Sequence, residues 1–225
     1  MPLDGMRIAV IGAGIGGLAA ARALALRGAE VTVLEQAEKI REVGAGLQIS
    51  PNGAAVLRGL GIEPATIGMR NEAVHLLDRS GRTAIRMGLD DSGYYLCHRA
   101  DLIAALAHGA RQAGARIRLL QRVETIETGA APDSGPEIRI ANQARMRPDL
   151  VVGADGLHSR LRGGDPGPGR AEVHRPGGLA RGGALGPRRS RGGRGAAVHG
   201  AGRHLVTYPL RGGAYRNIVA VEERR

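Results

Sequence analysis

The chain has 225 residues, of which 43% are hydrophobic, so it is long enough to bury a core as one large domain or two small ones. Four tyrosines are its entire aromatic content, which is little for this length. The single cysteine, Cys97, excludes a framework of internal disulfides and favours a reducing, cytoplasmic location. The N-terminus lacks the basic segment and cleavage site of a secretory signal, and no apolar run of about 18 residues predicts a transmembrane helix.

The net charge of +11 is unevenly distributed along the chain. Residues 1–162 carry 20 Lys and Arg against 17 Asp and Glu, whereas residues 163–225 carry 12 Arg against 4 acidic residues. A strongly basic chain is typical of nucleic-acid-binding proteins. Because the excess of positive charge lies in residues 163–225 and residues 1–162 have an ordinary charge balance, we predict no nucleic-acid partner. Nothing in the sequence indicates a membrane partner.

The first 35 residues predict a strand, a helix and a second strand. Residues 7–11 form a short apolar run that is typical of a buried parallel strand. Residues 19–26 are rich in Ala and Leu and precede Gly28, so they indicate a helix that begins near Gly14 and is capped by Gly28. Residues 31–35 are a second buried strand, which implies a right-handed β-α-β crossover.

The middle of the chain predicts a mixture of helices and strands. Residues 43–48 are glycine-rich and irregular in pattern, and residues 73–87 resemble a hairpin with its turn at Arg79-Ser80-Gly81. Helices are predicted at 52–60 and 99–113, and strands at 116–120, 123–128, 137–140 and 150–153. This order indicates an α/β fold with an inserted β-rich portion.

The regular pattern disappears after residue 162. Residues 163–200 contain 13 Gly, 7 Arg and 4 Pro, and neither strand nor helix periodicity survives there, so an irregular or disordered arm is predicted. Pattern returns at residues 204–208 and 217–221, which predict two strands around a turn at Gly212-Gly213.

The glycine-rich turn after the first strand matches the G-x-G-x-x-G pattern at Gly12, Gly14 and Gly17. Gly12 allows a tight turn, Gly14 lets the backbone approach a pyrophosphate, and Gly17 lets the helix pack on the strand. The second strand ends in Glu35, about 20 residues on, where an acid binds ribose hydroxyls. The strand, helix and acid together predict a dinucleotide site and make a glycine turn without a ligand the weaker interpretation.

Three further segments occur in a characteristic order. They are Arg-Glu-Val-Gly-Ala-Gly-Leu-Gln-Ile-Ser-Pro-Asn at 41–52, Cys-His-Arg-Ala-Asp-Leu at 97–102, and the segment 149–162 with its Ala154-Asp155-Gly156 core. With the glycine turn they resemble the single-component flavoprotein monooxygenases of the salicylate and hydroxybenzoate hydroxylase type. The resemblance covers residues 6–162, and Tyr-Pro-Leu-Arg-Gly-Gly at 208–213 is similar to a later strand and turn of that family.

The resemblance implies a Rossmann-like FAD-binding domain at 1–162 with the hairpin insertion, an irregular segment at 163–203, and partial substrate-domain strands at 204–225. The residues that it assigns to FAD are Gly12, Gly14, Gly17 and Glu35 for the ADP half, Arg41, Ala45 and Gly46 along the flavin, and Arg99, Val123 and Asp155. Two alternatives stay open. Asp155 also fits a turn aspartate that caps a helix at 157–162, and Arg99 also fits a solvated residue at a helix start.

The resemblance also implies that FAD is reduced by NADH or NADPH and reacts with O2 to hydroxylate a small aromatic substrate, with the protein positioning the ring. His204 and Tyr208 lie four residues apart in a predicted strand and therefore share a face. A His or Tyr on this strand contacts the substrate in relatives, so both are candidate catalytic residues that orient or deprotonate a phenolic hydroxyl. The alternative is that Tyr208 is ordinary strand packing. No spacing of His with Cys or Asp predicts a metal site.

Two departures from the family set limits on this prediction. The chain ends before any second FAD motif of the Gly-Asp type, so we expect an incomplete fold at the C-terminus and an inactive chain. Residues 177–181 are Gly-Gly-Leu-Ala-Arg, where relatives have a run that contains an aromatic residue. One DNA sequence that could encode this pentapeptide gives Val-Ala-Trp-Arg when it is read one base later. We therefore hypothesise that residues 163–200 are translated out of frame, which the coding DNA decides. A non-catalytic FAD- or NAD-binding remnant and a separate NAD-binding reductase or nucleotide-binding module are the alternative functions.

Overall fold

The computed structural model describes residues 3–40, 45–78, 80–89, 93–127, 135–157, 159, 161, 176–184, 194–200 and 202–223. The chain forms two compact units, each built from two segments. The first comprises Met1–Arg41 and Ile103–Ala171, and the second comprises Glu42–Leu102 and Glu172–Arg225. The division is therefore discontinuous, whereas the sequence-based domain of residues 1–162 is continuous.

The helices are α1 (Ile15–Ala25), α2 (Pro51–Gly59) and α3 (Arg99–Gln112). The first eight strands are β1 (Arg7–Ile11), β2 (Glu30–Leu34), β3 (Gly46–Ile49), β4 (Gly68–Arg70), β5 (Ala73–Leu77), β6 (Thr83–Gly88), β7 (Tyr95–His98) and β8 (Arg116–Arg118). The later strands are β9 (Val123–Glu127), β10 (Glu137–Ile140), β11 (Arg145–Met146), β12 (Leu150–Gly153), β13 (Pro176–Ala184), β14 (Arg194–Gly200), β15 (Arg203–Leu210) and β16 (Tyr215–Glu223). Within the described ranges, no helix combines the length and the apolar character needed to cross a bilayer.

The first unit contains a parallel sheet with the strand order β12-β1-β2-β8. Its central strand β1 is buried on both faces, because Ile8, Ala9 and Val10 are all inaccessible to solvent. This double burial explains why the run is continuously apolar rather than alternating. A second, antiparallel sheet of β9, β10 and β11 packs Ile138 and Ile140 against the β1 core. The predicted β-α-β start is confirmed.

The second unit contains a six-stranded sheet with the order β13-β16-β15-β14-β5-β6 and a three-stranded sheet with the order β3-β7-β4. The predicted hairpin is present as β5 and β6, although Arg79 of its turn lies outside the described residues. The two predicted C-terminal strands are β15 and β16, joined by a turn that contains Gly212 and Gly213. The α/β class with an additional β-rich portion is confirmed.

Two predictions of irregular structure were wrong. Residues 46–49 form β3, and much of the segment 163–203 is β-strand, since β13 pairs with β16 along its length and β14 lies between β15 and β5. Strand pairing uses backbone groups, so neighbouring strands can recruit glycine-rich segments whose side chains show no period. The rest of that predicted segment, residues 163–175, 185–193 and 201, lies outside the described residues.

Candidate functional site

The glycine turn of the first unit packs directly against the segment that follows β12. Gly12 has a φ of +103°, and a Cβ there would overlap the Ala154 carbonyl oxygen and lie 3.2 Å from the Asp155 Cα. A Cβ on Gly17 would overlap the carbonyl oxygen of Gly12. Gly14, by contrast, has no such neighbour within 4 Å among the described residues. Gly12 and Gly17 are therefore required by close packing, whereas the space at Gly14 is open.

The N-terminus of α1 has no side-chain cap among the residues that the structure describes. Gly14 is the N-cap residue in an extended conformation, and the first turn of the helix holds no acidic residue. The first N–H groups of the helix and the positive end of its dipole suit an anion such as a phosphate. An open cleft of about 610 Å³ lies alongside. Its lining consists of Gly16, Ala20, Val152, Gly153, Ala154, Asp155, Gly156, Ser159 and Leu161.

Glu35 is held against the glycine turn from the end of β2. Its Oε2 atom accepts the backbone N–H of Ala13 at 2.7 Å, and its Oε1 atom accepts that of Ala37 at 2.9 Å. The structure thus brings Gly12, Glu35 and Asp155 to one end of the parallel sheet, each following the carboxyl end of a strand. Ligands of open α/β sheets bind at this edge.

Asp155 and Val123 occupy different surroundings in the same unit. Asp155 lines the cleft, and the Oδ2 atom of its carboxylate accepts the N–H of Leu161 at 3.5 Å. The structure therefore fits both of its predicted roles, as a turn residue and as a ligand contact. Val123 packs against the apolar cluster around Ile138. Its assignment to FAD stays a prediction.

The sequence-predicted FAD contacts Ala45, Gly46 and Arg99 come together in the second unit. The backbone N–H of Arg99 donates to the Ala45 carbonyl oxygen at 3.2 Å, and Gly46 pairs with His98 across β3 and β7. The His98 ring caps α3, because its Nδ1 atom accepts the Ala100 N–H at 3.2 Å. Arg41, which was assigned to the same set, lies outside the described residues, as does Gly44.

The two candidate catalytic residues lie on β15 in different environments. Tyr208 is 3% exposed and packs with Leu96 and Leu210, which fits the alternative of ordinary packing. Burial raises the pKa of Tyr208 to about 12, and the nearby Tyr94 and Cys97 add to the shift. Its hydroxyl therefore stays protonated at neutral pH and can donate a hydrogen bond, but it is a poor base. His204 is partly exposed.

Three polar contacts of the second unit had no signal in the sequence pattern. The buried Asn217 accepts the Gly46 N–H, Tyr94 donates to Gln48 at 2.6 Å, and Arg211 forms a paired contact with Asp101. These partners are 46 to 171 residues apart in the chain, beyond the reach of any local period. Among the residues that the structure describes, no group of three His, Cys, Asp or Glu side chains could hold a metal ion.

A parallel sheet with a glycine turn, an open helix N-terminus and an acid at the next strand end defines a dinucleotide-binding protein. The sequence profile of the family described as FAD binding domain matches residues 6–168. The chain belongs to this family.

Relatives of the chain are aromatic monooxygenases. It is 38% identical over 168 residues to 3-amino-4-hydroxybenzoate 2-monooxygenase of Streptomyces cremeus, covering 70% of this chain and 41% of that protein. It is 32% identical over 230 residues to 3-hydroxybenzoate 6-hydroxylase 1 of Aquipseudomonas alcaligenes, covering 94% and 56%. The chain thus matches about half or less of the length of these relatives.

The fold is shared with the crystal structure of PqsL from P. aeruginosa in complex with 2-aminobenzoylacetate. The TM-score is 0.80 at 21% sequence identity, and the match covers 98% of this chain and 62% of that one. At this identity the similarity establishes the fold alone.

Proposed function

We propose that this chain is the FAD-binding part of a monooxygenase that hydroxylates a small aromatic substrate with NADH or NADPH and O2. The observation that carries the proposal is the packing of the Gly12 turn against Ala154 and Asp155, with Glu35 bonded to the same turn. The close approach leaves no room for a Cβ at Gly12 or Gly17, and it leaves Gly14 and the helix N-terminus open. This arrangement fits the adenosine diphosphate half of FAD.

Each residue has a separate task in this proposal. The N–H groups at the start of α1 bind the pyrophosphate, and Glu35 accepts hydrogen bonds from the ribose hydroxyls. Asp155 orients the cofactor from the neighbouring strand end, and Arg41, Ala45, Gly46, Arg99 and Val123 supply the remaining contacts. FAD, when bound, supplies the redox chemistry that transfers one oxygen atom from O2 to the ring.

The proposed substrate class is a phenolic or carboxylated aromatic compound. The protonated Tyr208 hydroxyl would donate to an oxygen of such a compound, and the imidazole of His204 is the candidate to take up its proton, because an imidazole ring nitrogen can accept a proton. We also propose a cytoplasmic location, on the argument that the one cysteine, Cys97, is a buried free thiol.

The test is flavin binding and turnover by the purified chain. We expect visible flavin absorbance after addition of FAD, and we expect no oxidation of NADH or NADPH by this chain alone. Oxidation that a hydroxybenzoate stimulates would contradict the expected inactivity and show a complete monooxygenase in this chain. A chain that binds NAD but no FAD would contradict the proposal and support a separate nucleotide-binding module.

A further inference from the structure

Asn217 of β16 is a fully buried polar residue, with 0% of its surface exposed. Its Oδ1 atom accepts the backbone N–H of Gly46 at 2.7 Å, although the two residues are 171 positions apart. Because an N–H group can donate only to the oxygen end of the amide, this bond fixes the orientation of the side chain. The Nδ2 atom is then buried, and among the described residues it has no hydrogen-bond partner.

Gly46 needs this partner because of its position in the sheet. β3 is an edge strand, paired on one side with β7. An N–H that points away from β7 has no strand to accept it, and an unpaired buried N–H is costly. The side-chain carbonyl of Asn217 accepts the hydrogen bond of the Gly46 N–H that a neighbouring strand would otherwise accept.

The same contact includes Tyr208. Tyr208 and Asn217 are directly opposite each other in β15 and β16, so their side chains lie on one face. A Cβ at Gly46 would lie 2.5 Å from the Tyr208 ring and 2.9 Å from the Asn217 Cγ. The Gly46 backbone, the Tyr208 ring and the Asn217 amide therefore fill one small space without room for another atom.

Because the Nδ2 atom is unpaired, the stabilising contact of the Asn217 amide is the one made by its oxygen. A leucine of similar size would carry no Nδ2 donor to be buried without a partner, so packing alone does not favour asparagine at this position. The carbonyl bond to Gly46 is the compensating gain. We propose that Asn217 is a positioning residue that holds the Ala45-Gly46 backbone and the Tyr208 ring in register for the flavin and the aromatic substrate. This inference rests on the proposed function, which assigns Ala45 and Gly46 to the flavin and Tyr208 to the substrate.

The test compares Asn217→Leu, which removes the acceptor at similar volume, with Asn217→Asp, which keeps it. Amide hydrogen exchange at Gly46, measured by NMR on the chain without ligand, should accelerate about 10-fold or more in Asn217→Leu and clearly less in Asn217→Asp, which keeps the acceptor although its carboxyl group is costly to bury. FAD affinity should fall about 3- to 10-fold in Asn217→Leu alone. Ile218→Thr is the matched control, because its partly exposed side chain points to the opposite face of β16.

Equal Gly46 exchange in the wild-type chain and Asn217→Leu would overturn the inference, whatever the chain does with FAD. Rapid exchange of the Gly46 amide in the wild-type chain would also overturn it, and this measurement needs no variant to fold. Protection of Gly46 that Asn217→Leu abolishes, in a chain that binds no FAD, would support the structural bond while contradicting the proposed function.

Discussion

Glu35 and Ala13, 22 residues apart, are joined by a hydrogen bond of 2.7 Å from the Ala13 N–H to the Glu35 Oε2 atom. The Oε1 atom of the same carboxylate accepts the Ala37 N–H, so both oxygens are anchored to backbone. A carboxylate has about four lone-pair sites, of which two are used here. The acid that we assign to the ribose is thus already oriented, with acceptor capacity left for the ribose hydroxyls.

We predict that Glu35→Gln weakens FAD binding about 10-fold, because its single oxygen can serve only one of the two N–H groups and its NH2 group is a donor. Glu35→Ala should weaken binding further and lower the free energy of unfolding by about 1–2 kcal/mol. Isothermal titration with FAD and urea unfolding measure the two effects. Glu38→Gln is the control, because the Glu38 side chain is 70% exposed and pairs with the exposed Lys39. Glu35→Ala with wild-type affinity would refute the role of Glu35.

Substitutions of the turn glycines should affect either the free energy of unfolding or the FAD affinity, depending on which glycine is replaced. Gly17→Ala should lower the free energy of unfolding by about 1–3 kcal/mol, because the new Cβ overlaps the Gly12 carbonyl oxygen. Gly14→Ala meets no described atom within 4 Å and should cost about 0.5 kcal/mol or less, yet it should weaken FAD binding strongly, because a pyrophosphate must approach that backbone.

Urea unfolding and FAD titration of the same samples check this separation. Gly59→Ala in α2 is the control, since its Cβ also meets no described atom within 4 Å and Gly59 lies outside the glycine turn. If Gly14→Ala binds FAD as tightly as Gly59→Ala does, the pyrophosphate does not lie against Gly14.

Apart from the short strand β11, the strands and helices of the first unit were predictable because their signals are local. Residues 8–10 are apolar without alternation because β1 is covered on both faces. Gly12 and Gly17 mark the closely packed turn that follows this strand. The acid at position 35 follows from the same motif. For this part of the site, the spacing of the residues carried enough information to place Glu35 at the glycine turn.

The rest was not predictable because it depends on partners far away in the chain. β13 is rich in glycine and has no side-chain period, and its strand geometry comes from pairing with β16. Likewise, nothing near position 217 indicates that its side chain accepts the N–H of Gly46. The strands at 176–184 and 194–200 also leave the out-of-frame hypothesis untested, since backbone pairing tolerates most side chains. The coding DNA remains its test.

The ion pair of Asp101 and Arg211 should make the second unit sensitive to acid. Arg211 donates to both carboxylate oxygens of Asp101, at 2.6 and 2.9 Å, and this hydrogen bonding lowers the pKa of Asp101. A lowered folded-state pKa stabilises the fold above the unfolded pKa of about 4, and the stabilisation is lost as the pH falls below it. Asp101→Asn should lack this loss.

Because both side chains are partly exposed, we expect a contribution of about 0.5–1 kcal/mol at neutral pH. Urea unfolding from about pH 6 to about pH 3 gives the measurement. Arg211→Lys should retain part of this loss, because lysine keeps the positive charge but cannot form the paired contact. Arg82→Lys serves as the control, since Arg82 is 84% exposed in its pair with Asp78. Identical pH profiles for wild type and Asp101→Asn would show that the ion pair contributes nothing.

The buried Tyr208 and Cys97 should destabilise the second unit at alkaline pH. Burial raises the pKa of Tyr208 from 10.0 to about 12 and the pKa of Cys97 from 9.0 to about 11. Between these values the unfolded chain releases its protons while the folded chain retains them, so the free energy of unfolding falls as the pH rises. The loss should begin near pH 9 with the thiol and continue towards pH 12 with the phenol.

Each group should contribute about 1–2 kcal/mol to this loss, at roughly 1.4 kcal/mol per pKa unit and with allowance for partial relaxation. Urea unfolding from about pH 8 to about pH 11.5 measures it. Cys97→Ala should flatten the early part of the decline and Tyr208→Phe the later part, because each removes one titrating group. Tyr215→Phe, at a side chain that is 39% exposed, is the control and should leave the profile unchanged. If Tyr208→Phe also leaves it unchanged, the Tyr208 hydroxyl is open to solvent, and its assignment as a protonated donor at neutral pH would then lose its argument from burial.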